Sequence, residues 1–95
     1  MRYHAKVDAN HAAIVKALRS VGASVQSLAA VGKGCPDLLV GFGDCWYVLE
    51  VKDGSKPQSQ CQLTDDEREW AAGARAPVWI VWSIDQALKV IGCHG

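Results

Sequence analysis

The chain has 95 residues, 49% hydrophobic and 21% charged, with ten Lys/Arg matched by ten Asp/Glu. This length holds one domain with a modest core, so residues 1–95 read as a single unit. The neutral total argues against a general nucleic-acid coat, and the absence of any apolar stretch near ~18 residues argues against a membrane span.

The first element is a helix. Ala12, Val15, Leu18 and Val21 recur every three residues, with Ile14 and Ala17 widening the stripe, which predicts an amphipathic helix over ~9–21. Asp8 suits its N-cap and Gly22 its C′ position. Ala23 to Leu28 reads as a strand with Val25 inward, and Ala29 to Gly34 as a loop with two glycines. Two strands follow, over ~37–42 and ~45–52, joined by the turn residues Gly41-Phe42-Gly43-Asp44-Cys45. Asp53-Gly54-Ser55-Lys56-Pro57 reads as a mobile turn, and Ser59 as the cap of one helical turn. Thr64 caps a helix of ~65–73, Val78 to Trp82 forms a strand, and Ser83-x-x-Gln86 opens a last helix to about Ile91 as a second capping box. The order α-β-β-β-α-β-α predicts an α/β fold with a mixed sheet flanked by helices on both faces. Trp79 and Trp82 are three residues apart, so strict alternation keeps them from both facing inward. The tryptophans read as core or dimer contacts before base-stacking platforms.

The chemistry concentrates in Gly34-Cys35-Pro36-Asp37-Leu38-Leu39-Val40, followed by Val48-Leu49-Glu50-Val51-Lys52. Leu38-Leu39-Val40 is apolar on both faces, as a central strand is. Pro36 has no amide to donate and suits the entry of that strand, and Gly34 permits a tight approach to it. In the second strand, side chains alternate, so Glu50 and Lys52 share one face while Tyr47, Leu49 and Val51 share the other. Two carboxylates and an amine thus meet at neighbouring strand ends. Hard divalent cations take oxygen ligands, which Asp37, Glu50 and a strand-end carbonyl supply. Lys52 is placed to orient an attacking water or offset phosphate charge.

Gly34-Cys35-Pro36-Asp37 with Glu50-Val51-Lys52 resembles the PD-(D/E)XK nuclease signature. The wider frame, with Leu63-Thr64, resembles the stand-alone virus-type replication-repair nuclease (VRR-NUC) domains of phages and prophages, from about Asp8 to Gly92. These are similar in fold to Holliday junction resolvases. The resemblance implies a Mg²⁺- or Mn²⁺-dependent endonuclease acting on branched DNA such as Holliday junctions, working as a homodimer. It implies Asp37, Glu50 and the Val51 carbonyl as metal ligands and Lys52 as the catalytic lysine. Lys33 and Lys56, in the loops on either side of these residues, are the candidate DNA contacts.

Two positions depart from the family pattern. An acid on the first helix falls at about Ala13 here, and alanine binds no metal. Glu67 stands where a glutamine is common; it either restores the missing acid or only completes a Thr64-x-x-Glu67 capping box. Asn10, one helical turn before Ala13, is a second candidate, as the holder of a metal-bound water. Ala13 leaves open an alternative class, a branched-DNA binding module with weak or lost catalysis. Together, Asp37, Glu50 and Lys52 favour the enzyme.

Charge and cysteines complete the picture. Residues 1–34 hold five Lys/Arg and one acid, while residues 35–95 hold five and nine, so a neutral total can hide a basic edge beside an acidic site. The cysteines at 35, 45, 61 and 93 form no C-x-x-C pair and read as thiols, not zinc ligands or a disulfide framework. Met1-Arg2-Tyr3-His4 lacks the apolar run of a secretion signal, so a cytoplasmic protein is expected, and the resemblance implies a phage or prophage in a bacterial host.

Overall fold

The computed structural model describes residues 10–54 and 62–92. Within them the elements follow the predicted order: α1 (His11–Ser20), β1 (Ser24–Ser27), β2 (Leu38–Phe42), β3 (Cys45–Val51), α2 (Asp65–Gly73), β4 (Val78–Val81) and α3 (Ile84–Val90). The sheet runs β1-β2-β3-β4. The first three strands are antiparallel and β4 lies parallel to β3. A parallel neighbour requires a crossover, and the stretch containing α2 provides it.

The hairpin between β2 and β3 pairs Phe42 with Cys45 across Gly43 and Asp44, whose φ values are 59° and 67°. Positive φ at both central residues gives the turn whose twist matches paired strands. This turn fixes the register that sets Leu38 against Leu49 and brings the start of β2 beside the end of β3.

One sheet face carries the core. Leu38 and Val40 of β2, Leu49 and Val51 of β3 and Val81 of β4 are buried against Ile14 and Leu18 of α1 and Ala87 of α3, with Ile91 just beyond it. The helical spacing of Ile14 and Leu18 puts both on the side that meets this face. Gly22, at φ 95°, closes α1 in the left-handed conformation that favours glycine. The opposite face carries Glu50, and α2 stands on that side with no buried residue of its own. Helices thus lie on both sides of the sheet, but the packing is one-sided.

The remaining differences are local. The N-cap of α1 is Asn10, not Asp8, which lies outside the described residues; the Asn10 side chain makes no cap bond and reaches the sheet instead. The Thr64–Glu67 capping box is complete. The second box is half-formed: Ser83 Oγ accepts from the Gln86 amide, but Gln86 Oε1 accepts from the Trp82 amide at 2.6 Å. Neither Trp79 nor Trp82 is buried, at 42% and 37% exposed, because β4 is an edge strand and Trp82 lies past its end. The turn residues 55–57 and the cap at Ser59 lie outside the described residues.

Leu18, fully buried between α1 and the sheet, gives the test of this core. Leu18→Ala should cost about 2–5 kcal/mol in urea denaturation. A loss within experimental error of zero would mean that α1 does not anchor the sheet.

Candidate active site

The end of β3 is where the polar chemistry collects. Lys52 continues past the strand because its amide donates to the Val81 carbonyl of β4 at 2.9 Å. Asn10 Nδ2 donates to the Lys52 carbonyl at 3.1 Å and to the Trp82 carbonyl at 2.9 Å, tying the start of α1 to two strand ends. Asn10 Oδ1 is buried without a hydrogen-bond partner. Glu50 is 3% exposed and Lys52 7%. Ionisable groups this enclosed must be paired.

The pairing is specific. Lys52 Nζ lies 2.8 Å from Glu67 Oε1 and 3.6 Å from Glu50 Oε2. The same Glu67 Oε1 accepts from the Thr64 amide at 2.8 Å, so one carboxylate oxygen both caps α2 and binds the lysine. Asp37 Oδ2 accepts from the Val51 amide at 2.7 Å, which places the Asp37 carboxylate against the β3 backbone between Glu50 and Lys52. Gly34 makes the approach of α2 possible. At φ 83°, a Cβ there would collide with the backbone of Asp66 and Glu67. The glycine before the Pro-Asp pair therefore seats the first turn of α2, not only the entry of β2.

Electrostatics separate the two glutamates. Burial drives the Glu50 carboxyl up to about 9, helped by the charge of Asp37 and the bond and charge of Glu67, against the smaller pull of Lys52. Burial also pushes Glu67 up, but hydrogen bonds from Lys52, the Thr64 amide and Glu50 outweigh it and hold Glu67 below its ordinary value. At neutral pH, Glu50 carries a proton and Glu67 is the counter-ion of Lys52. Burial, then Glu50 and Asp37, raises the Cys35 thiol, so this cysteine is held in its unreactive form.

No family model matches this sequence, and no curated protein does. A solved structure described as a VRR_NUC domain does match: it is 30% identical, the alignment spans 88% of this chain and 96% of that one, and the TM-score is 0.57. The chain belongs to the VRR-NUC family. A VRR-NUC domain is a nuclease domain, which makes DNA the expected substrate, and the cluster of Asp37, Glu50 and Lys52 lies at the end of its sheet.

The other candidate residues of this VRR-NUC domain separate. Ala13 is exposed on α1, and Asn10 is the residue of that helix bonded to the β3 end. Lys33 is exposed, beside Asp66, Glu69 and Trp70 of α2, around a hollow of about 470 Å³. Lys56 lies outside the described residues. Among the described residues, no three Asp, Glu, His or Cys side chains form a ready metal cage. Mg²⁺ does not need one, since it is held by one or two carboxylates with several waters. Asp37 and Glu50 are the two carboxylates near enough to each other for this: after burial, the charge of Asp37 helps to raise the Glu50 carboxyl, and the Val51 amide donates to Asp37.

The Glu50 shift has a measurable sign. Its folded value lies above its unfolded one, so its contribution is full below the unfolded value of 4.5 and is lost as pH rises through about 9. In thermal melts with chelator, wild type should lose stability relative to Glu50→Gln from pH 5 to pH 9, reaching roughly 4–8 °C for each kcal/mol lost. A constant difference across this range would show that Glu50 titrates normally.

Proposed function

We propose that this VRR-NUC domain is a divalent-metal-dependent endonuclease that cuts phosphodiester bonds at branched DNA, Holliday junctions included, as a homodimer. The observation that carries this reading is the enclosed cluster at the β3 end: two carboxylates at adjacent strand ends and a lysine held charged by a third. Asp37, Glu50 and the Val51 carbonyl would hold Mg²⁺ or Mn²⁺, which would neutralise charge on the scissile phosphate and acidify the attacking water.

The protein groups have separate tasks. Glu50 would have to give up its proton to become a ligand, against its burial and then the charge of Asp37. Glu67 pairs with the Lys52 ammonium and aims it, so that it can donate to the phosphate or to the water that attacks it. Asn10 fixes the backbone carbonyl of Lys52. Two strands cut in register require two such sites, which a symmetric dimer supplies. No helix among the described residues is long and apolar enough to cross a membrane. A cytoplasmic role in a host carrying phage or prophage DNA is part of the same proposal.

A second reading, a branched-DNA binding module with weak catalysis, is favoured by Ala13, which offers no ligand on α1. The decisive assay is cleavage of a four-way junction with and without Mg²⁺ or Mn²⁺. The enzyme reading expects metal-dependent cuts lost in Asp37→Ala, Glu50→Ala and Lys52→Ala, with only Lys52→Ala retaining Mn²⁺ binding in calorimetry. Metal-dependent binding without cuts by wild type would establish the second reading.

Glu67 gives a finer test. Glutamine can still accept from the Thr64 amide but does not neutralise Lys52. Glu67→Gln should therefore keep α2 folded by circular dichroism and lower cleavage by about 10²-fold or more, the usual scale for a misplaced acid–base group. Wild-type rates in this variant would reduce Glu67 to a helix cap.

A further inference from the structure

Trp82 is the strand neighbour of Lys52. β3 and β4 are parallel with Val51 opposite Val81, so the next residues, Lys52 and Trp82, lie side by side. Adjacent strands are about 4.8 Å apart, which sets the spacing of the two backbones. One amide spans them: Asn10 Nδ2 donates to the Lys52 carbonyl at 3.1 Å and to the Trp82 carbonyl at 2.9 Å. Val51 and Val81 are buried in the core, so alternation turns Lys52 and Trp82 to the opposite face, the one that carries Glu50. The indole lies along the continuation of β3. A Cβ on Gly54, two residues past Lys52, would be 3.5 Å from Trp82 Cβ and 3.6 Å from its Cδ1. Trp82 is nevertheless 37% exposed.

A single exposed aromatic needs no explanation by itself. This one is held at both ends of its backbone. Its amide donates to Gln86 Oε1 at 2.6 Å, and its carbonyl accepts from Asn10. Both of those side chains stand at helix starts, where capping is their ordinary use. Asn10 makes no cap bond to α1, and the Gln86 oxygen goes to Trp82. Two helix starts thus give their side chains to one residue beside Lys52. A ring on a backbone fixed in this way has less freedom to lose when a partner stacks on it.

We propose that the Trp82 indole is a stacking platform for one unpaired nucleobase of the DNA substrate, beside the phosphate held at Lys52. This rests on the nuclease reading and adds to it a residue that positions the substrate. An indole has no charge for a phosphate and donates a single N–H, so what it offers is flat apolar surface. The bases are the part of DNA with a matching face. Phosphates of one strand advance about 3.4 Å along the axis, close to the strand spacing, so the base concerned belongs to the nucleotide that is cut or to the next one. In continuous duplex a base must be taken out of the stack to expose its face, whereas at a branch point an unpaired base presents it at little cost. Stacking tolerates any base, so the platform selects DNA structure and not sequence.

The test is equilibrium binding in chelator, so that no cutting occurs. Forked DNA is compared with the same DNA carrying an abasic analogue at one unpaired nucleotide near the branch, moved one position at a time, which keeps every phosphate. Wild type should lose about tenfold in affinity at one position, the scale of one stacked base. Trp82→Leu keeps apolar bulk against Gly54 but has no ring, and should bind intact and abasic DNA alike. Trp82→Phe should keep part of the preference. 2-Aminopurine at the sensitive position should be quenched by wild type and by Trp82→Phe, but not by Trp82→Leu. Circular dichroism establishes that each variant is folded, and the wild-type scan stands without them. Equal affinities at every position in wild type would overturn the proposal, as would a preference undiminished in Trp82→Leu. Loss of a dimer in Trp82→Leu by light scattering, with no base preference in wild type, would overturn it in favour of a contact with a second copy of the chain. Cleavage, measured separately with Mn²⁺, keeps the two claims apart. A ring-dependent base preference without cutting leaves the platform standing and fails the nuclease reading; cutting without base preference does the reverse.

Discussion

The contact between Lys52 and Glu67 is the constraint on which the rest of the site depends. A buried ammonium needs a full counter-charge, and Glu50 cannot provide it while burial keeps its own carboxyl protonated. Glu67 can, but only if the first turn of α2 comes within hydrogen-bonding distance of the β3 end. Three features arrange this. Thr64 sets the start of the helix, Gly34 removes the side chain that would block its backbone, and the Thr64 amide shares Glu67 Oε1 with the lysine. Ion pair and helix cap are one structure, so α2, with no buried residue, is held largely by its polar end.

The opposite requirement holds at Asp37 and Glu50. Burial first, and then the charge of Asp37, raise the Glu50 carboxyl and oppose the ionisation of both acids together. A structure selected only for stability would replace one of them by an apolar group. Both are kept at adjacent strand ends, with the β3 backbone bonded to Asp37, which is the arrangement the proposed metal-binding role requires. The sheet makes it rigid: the two-residue turn after β2 fixes the register, and the parallel partner β4 holds Lys52 in line beyond the strand.

The core and the acids were readable because their signals are local. Ile14 and Leu18 follow helical spacing, Leu49 and Val51 follow strand alternation, and Pro36-Asp37 and Glu50-x-Lys52 stand at strand ends. The parts that the sequence left hidden depend on partners far along the chain. Asn10 was placed one turn from Ala13, but its bonds to carbonyls 42 and 72 residues away arise only from the folded sheet. Glu67 offered two readings, cap or acid, and the fold realises both in one oxygen. Gln86 looked like the second half of a box with Ser83, yet the unpaired amide at the end of β4 takes it. The tryptophans read as core or dimer contacts, and the fold takes Trp46, at 68% exposed, and Trp79 out of the core, because they sit where the sheet face or its edge is open.

Anomalous diffraction from a crystal soaked in Mn²⁺ tests the central claim most directly. The account predicts a peak within coordination distance, about 2.0–2.4 Å, of carboxylate oxygens from both Asp37 and Glu50, with Lys52 still bonded to Glu67. A crystal with no peak there at saturating Mn²⁺, or with the ion bound by neither carboxylate, would contradict it.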